Sequence, residues 1–130
     1  MRRRLVIITF VLVFIAIFDL KAQEIQFVTT EINYGAISKG ANGVREFKFV
    51  NTGAAPLIIT KATSSCTCLH ILYVSYEPIM PGQTSTIKVK YDTQRVGMFQ
   101  KYISVSSNAP IDFINLKVFG EVYADKALVE

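Results

Sequence analysis

The sequence predicts an all-β domain, two antiparallel sheets packed face to face, preceded by a signal peptide. Three observations predict it. After residue 22, short apolar stretches alternate with Gly-, Pro- and Asn-containing turns at fairly even spacing. Within those stretches apolar and polar residues alternate with a period of two, the mark of strands that bury one face. No stretch after residue 22 keeps apolar residues at spacings of three and four over a helical length.

Residues 1–22 are set apart from the fold. Arg2, Arg3 and Arg4 form a positive start, and Leu5 to Phe18 is a 14-residue run that is apolar apart from Thr9. Asp19, Leu20, Lys21 and the small Ala22 follow. This charge–apolar–small order is that of a secretory signal, and the run is short of the about 20 residues that a spanning helix needs. Cleavage after Ala22 is expected, leaving residues 23–130 as the domain. An uncleaved N-terminal anchor is the alternative, and without it the mature form has no membrane span. No cysteine lies near the cleavage point to carry a lipid.

The charge of +4 is mostly a property of that segment. It holds four of the 14 basic residues and one of the 10 acidic ones, which leaves ten against nine. No basic tract remains to follow a phosphate backbone, so nucleic-acid binding is not expected. The 108 remaining residues can bury roughly two-thirds of their unfolded surface, enough to fold without staples.

Ile25 to Val28 is read as an extra edge piece, and Glu31 to Ile37 as the first full strand. The Gly- and Asn-rich turn of residues 38–43 leads into Val44 to Asn51, where Phe47 and Phe49 point inward and Glu46 and Lys48 outward. Asn51 and Gly53 are read as turn-formers. Leu57 to Thr63 is a β-branched strand, Ser64 to Leu69 holds the two cysteines, and Ile71 to Tyr76 is read as another strand. Pro81-Gly82 suits the centre of a type II turn, where Gly tolerates positive φ. In Thr84 to Tyr91, Ile87, Val89 and Tyr91 face the core. Gly97 opens Met98 to Ser106, with Ile103 and Val105 inward. In Asp112 to Val122, Ile114, Leu116 and Val118 face inward. About seven strands in about 100 residues is the immunoglobulin-like count. The antibody-type core is missing: there is no Trp, and the two cysteines are one residue apart.

The set Phe47-x-Phe49-x-Asn51-x-Gly53, Pro56-Leu57, Ser65-Cys66-x-Cys68, Pro78-Ile79-x-Pro81-Gly82, Tyr91-Asp92, Gly97-x-Phe99, Asn108 and Leu116-x-Val118-x-Gly120-x-Val122 resembles the bacterial family called domain of unknown function 1573. The resemblance covers residues 31–122. It implies an exported immunoglobulin-like domain, similar to those of cilia and centrosome proteins, and implies no biochemical activity. The family's Cys-Gly-Cys-Thr reads Cys66-Thr67-Cys68-Leu69 here. Thr67 is β-branched and favours an extended chain, which weighs against a tight Cys–Cys closure.

Cys66, Cys68 and His70 carry the distinctive chemistry. In an extended strand these alternate positions share one face at spacings of about 6–7 Å, and three such ligands suit copper(I) or zinc. There is no Cys-x-x-Cys and no second pair, so no metal or other cofactor is assigned. A Cys66–Cys68 disulfide is the second reading and requires the segment to bend. Two buried free thiols are the third. A bridge or reversible thiol pair ranks ahead of inert thiols, and metal comes last. The pair is expected at a strand end or turn beside the Pro81-Gly82 loop.

Hydrolytic chemistry has no support: His70 is the single histidine and there is no Gly-x-Ser-x-Gly turn. Tyr34, Phe47, Phe49 and Phe99 are read as core, while Tyr73 and Tyr76 flank the cysteine segment and are left open between core and surface. The expectation is a non-catalytic interaction or structural module of the bacterial envelope with a protein partner. Its place is the periplasm, the cell envelope or the medium. The alternative is a small metal-binding or thiol-redox protein built on Cys66, Cys68 and His70.

Overall fold

The computed structural model describes residues 22–124. The segment read as a signal lies outside the described residues apart from Ala22. Eight strands follow one another: β1 (Ile25–Phe27), β2 (Glu31–Ser38), β3 (Val44–Asn51), β4 (Ile59–Ser64), β5 (Leu69–Tyr73), β6 (Thr84–Tyr91), β7 (Gly97–Ser107) and β8 (Ile114–Tyr123). There is no helix among the described residues. Sheet I has the order β1-β3-β6-β5 and sheet II the order β2-β8-β7-β4.

Alternation builds the core. Phe47 and Phe49 of β3, Ile87 and Val89 of β6, Ile103 of β7, and Leu116 and Val118 of β8 are all buried in one cluster between the sheets. Each contributes about 1.5–3 kcal/mol on burial, which makes this layer the main source of stability. Tyr34 and Phe99 join the same cluster, as read from the sequence.

The turns follow their residues. Gly82 has φ +80° and the Gln83 N–H donates to Met80 O, so Pro81-Gly82 forms the expected turn. Asn51 is fully buried; its Nδ2 donates to the carbonyls of Ala55 and Ile79, and its Oδ1 accepts from Gly53 N.

Four readings need correction. The sandwich is not wholly antiparallel, because β2 runs parallel to its neighbour β8. Strand β5 ends at Tyr73 rather than Tyr76, because its pairing with β6 shifts register at Leu72 and stops at Lys88. The strand read from Leu57 is regular only from Ile59; Leu57 makes an isolated bridge to Ile79. The cysteines do not lie beside Pro81-Gly82. Cys68 meets Asp92 at the far end of β6, about 25 Å along an eight-residue strand.

Candidate functional site

The cysteines occupy the link by which the chain passes from β4 in sheet II to β5 in sheet I. Both flanks are tied. Ser65 N donates to Tyr102 O, and Tyr102 N donates to Ser65 Oγ. Asp92 N donates to Cys68 O at 2.8 Å. Between these anchors Leu69 N donates to Cys66 O and closes a turn, and Ser64 Oγ donates to the same carbonyl. The turn brings the Cα atoms to 5.1 Å, and Cys66 and Cys68 form a disulfide.

The extended arrangement with three ligands on one face is therefore not formed. Thr67 does not prevent closure: its side chain is exposed, and no residue other than Gly has positive φ among the described residues. A β-branched residue adopts the right-handed turn conformation without left-handed strain. His70 is exposed on β5 while Cys68 is buried, so the histidine and that sulfur lie on opposite faces. No group of three His, Cys, Asp or Glu side chains is arranged to hold a metal ion among the described residues.

A second feature lies on the outer face of sheet II. Between Asn33 and Ala36 the β2–β8 pairing slips, and Gly35 takes φ +67° to make the bulge. The bulge opens a shallow groove of ≈ 500 Å³. Met98 and Gln100 of β7 and Phe119 and Glu121 of β8 line it, with Ala36 at the bulge. The pairing register sets Met98 opposite Glu121 and Gln100 opposite Phe119. Met98 is 86% exposed, and Tyr102 and Tyr123 are also exposed on these strands.

Beneath the groove, on the inner face, lies an aromatic cluster. Tyr91 stacks on Phe99 at 3.8 Å, and Tyr34 meets Phe99 edge-on at 5.3 Å. The Tyr34 hydroxyl donates to Gly43 O at 2.7 Å, and the Arg45 guanidinium lies 4.2 Å from the Tyr34 ring centre. Burial pushes the Tyr34 hydroxyl up to about 12, against the opposing pull of Arg45. Phe99 of this cluster forms part of the groove lining.

Chemically the groove is mostly apolar, and Glu121 is the only ionisable side chain among its lining residues. Sequence reading ranked the Cys66–Cys68 pair ahead of a three-ligand set with His70, and it missed the groove. A signal was there to find. Met98 sits in the outward phase of β7 with Gln100 and Tyr102, while Phe99 and Ile103 point inward.

Residues 25–122 match the family model described as Protein of unknown function (DUF1573). The crystal structure of a protein of unknown function from Porphyromonas gingivalis W83 is similar, with TM-score 0.69 and 21% identity. The match covers 83% of this chain and 50% of that one, so the chain spans half the length of that relative. The ASH / PapD-like domain 7 of human CEP192 matches with TM-score 0.65 and 7% identity over 78% of this chain and 87% of that one. The Vibrio cholerae VesB protease matches with TM-score 0.58 and 14% identity over 78% of this chain and 31% of that one. At these identities the structural likenesses establish the fold alone. No curated protein matches the sequence. The family match covers nearly all of the described residues, and the chain belongs to the DUF1573 family of proteins of unknown function.

Proposed function

We propose that the protein is an exported, non-catalytic interaction module of the bacterial envelope, and that it binds another protein through the outer face of sheet II. The observation that carries this is the difference between its two outer faces. Sheet I presents charged side chains across its middle, Glu46, Lys48, Lys88 and Lys90, with Lys88 and Glu46 paired at 3.4 Å. Its exposed apolar residues, Val28 and Leu72, sit apart at the β1 and β5 edges, and a second groove by Val28 and Val50 is bordered by Lys48 and the hydroxyl residues Thr84, Ser85 and Thr86. Sheet II presents Met98, Phe119, Tyr102 and Tyr123 around a groove. Methionine and tyrosine are favoured at protein-binding surfaces, where an unbranched thioether and an amphipathic ring adapt to a partner. The occupant that fits is an extended protein segment with one apolar side chain for the groove and a basic neighbour facing Glu121. Export is supported by the charge–apolar–small order of residues 1–22.

The test is comparative retention. Envelope extract from the source bacterium is passed over immobilised domain and over its Met98→Asp variant. Because Met98 is so exposed, the substitution should cost only about 1 kcal/mol, from an Asp in a strand opposite Glu121, and the fold is retained. A protein held by the parent and lost by the variant supports the proposal. Identical retained sets overturn it. Cell fractionation tests export separately: a cytoplasmic protein retaining residues 1–22 removes that half of the proposal.

A further inference from the structure

We propose that the Cys66–Cys68 disulfide is a thiol–disulfide exchange site that accepts electrons from a cysteine pair of another protein, with Cys66 as the attacked sulfur and Cys68 as the buried partner. This activity does not depend on the sheet II groove.

The first observation is the unequal exposure of the two sulfur-bearing residues. Cys66 is half-buried, whereas Cys68 is 1% exposed and belongs to the hydrophobic core. An incoming thiolate reaches Cys66 first. The second is a hydrogen bond: the Cys68 N–H donates to Cys66 Sγ at 3.1 Å. That N–H favours negative charge on Cys66 once the bridge opens, while the apolar surroundings of Cys68 disfavour charge there. Cys68 therefore leaves with uptake of a proton, and Cys66, which supports charge, is the better leaving group when the mixed disulfide is resolved.

The third observation is that the bridge is redundant for holding the link. Ser65 is joined to Tyr102 by two hydrogen bonds, Cys68 O is held by Asp92 N, and Cys66 O is held by both Ser64 Oγ and Leu69 N. Reduction leaves all of these in place, so the two thiols stay within reach of each other. A ring closed by so short a segment also restricts the unfolded chain little, which is poor use for a structural staple.

The reaction balances as follows. A thiolate of the partner attacks Cys66 Sγ and forms an intermolecular S–S bond. The Cys66–Cys68 bond breaks, and its electron pair leaves on Cys68, which takes up a proton. The partner's second thiolate attacks the partner sulfur of the mixed disulfide, closes the partner's own disulfide and releases Cys66. The partner loses two electrons and this pair gains them. The disulfide re-forms by the reverse exchange with a more oxidising protein disulfide.

The experiment uses the purified oxidised domain and a reduced Cys-x-x-Cys peptide as probe. The expected result is one peptide oxidised per protein molecule, with two protein thiols appearing and the circular dichroism of the fold retained. In the reduced wild-type protein, iodoacetamide should label Cys66 at least about tenfold faster than Cys68, as mapped by mass spectrometry. With glutathione disulfide, the Cys68→Ala variant should keep a mixed disulfide on Cys66, and Cys66→Ser should form one at least about tenfold more slowly. The wild-type labelling needs no variant, so a folding failure of Cys68→Ala leaves the test intact. Free thiols in the protein as isolated from the exported fraction, equal labelling of both cysteines, or failure to oxidise the peptide while a phosphine opens the bridge would each overturn the proposal.

Discussion

Gly120 of β8 packs directly on Gly35 of β2: a Cβ on Gly120 would stand 2.8 Å from Gly35 O and 2.9 Å from Tyr34 Cβ. This contact lets the bulge settle against β8 and shapes the groove above it. Gly120→Ala should destabilise the domain by about 1–3 kcal/mol, since backbone and a buried Tyr must move. Gly35→Ala meets no atom within 4 Å, so it should cost only the about 1–2 kcal/mol of left-handed strain. Urea denaturation of both variants checks the two magnitudes.

Asn51 anchors the end of β3. Its amide donates to two carbonyls and its oxygen accepts from Gly53 N; the residue and its bond to Ile79 O are fully buried, and the other two bonds are half-buried. Asn51→Leu should destabilise by about 2–3 kcal/mol, because Gly53 N and Ala55 O lose their partner while Ile79 O keeps only Leu57 N. Phe49→Ala should cost about 3–5 kcal/mol through the cavity it leaves against Phe27, whose ring lies 5.2 Å away. Thermal melts of the two variants measure both effects.

Losing the disulfide should matter less. Cys68 lies in the core, so the informative replacement is Cys66→Ser with Cys68→Ala, which buries no new hydroxyl. The three-residue ring predicts a loss of about 1–2 kcal/mol from chain entropy, with the fold retained. A loss above about 4 kcal/mol in denaturant titration would identify the bridge as a structural staple.

Tyr34 makes the domain sensitive to alkali. Its folded value is raised to about 12 from an ordinary 10.0, so the folded state holds a proton that the unfolded chain releases. Stability from this group is intact below pH 10 and lost as pH rises through about 12, at about 1.4 kcal/mol per pH unit in that window. Tyr91 is raised in the same direction, chiefly by burial, and adds to the fall. Tyr34→Phe should cost about 1 kcal/mol at pH 7, from the lost bond to Gly43 O, and flatten the alkaline decline. Denaturation midpoints measured across that range decide it.

The strands that show clean alternation were legible from residues alone. Phe47 and Phe49, Ile87 and Val89, and Leu116 and Val118 each declare a buried face within one segment. What failed was non-local. Nothing in β2 itself says that its partner is β8 or that the pair is parallel. The stretch after Tyr73 kept an apolar look because Tyr76 is exposed rather than paired. The groove is hidden for the same reason: Met98 and Phe119 become neighbours only through the β7–β8 register, and the hollow between them only through a bulge in a third strand. The disulfide was left open because a Cys-x-Cys segment is ligand-like when extended and bridged when bent, and the bend is set by anchors at Tyr102 and Asp92.

On the proposed function, the outer face of sheet II, and not that of sheet I, meets another protein. Site-specific photocrosslinking in cells that express the protein decides between the faces, with the crosslinker placed at Met98, Phe119, Lys48 and Lys88 in turn. The account predicts one discrete adduct of the same mass from positions 98 and 119, absent from positions 48 and 88 and abolished at position 119 by Met98→Asp. Adducts from the sheet I positions alone, or no adduct from any of the four, would contradict it.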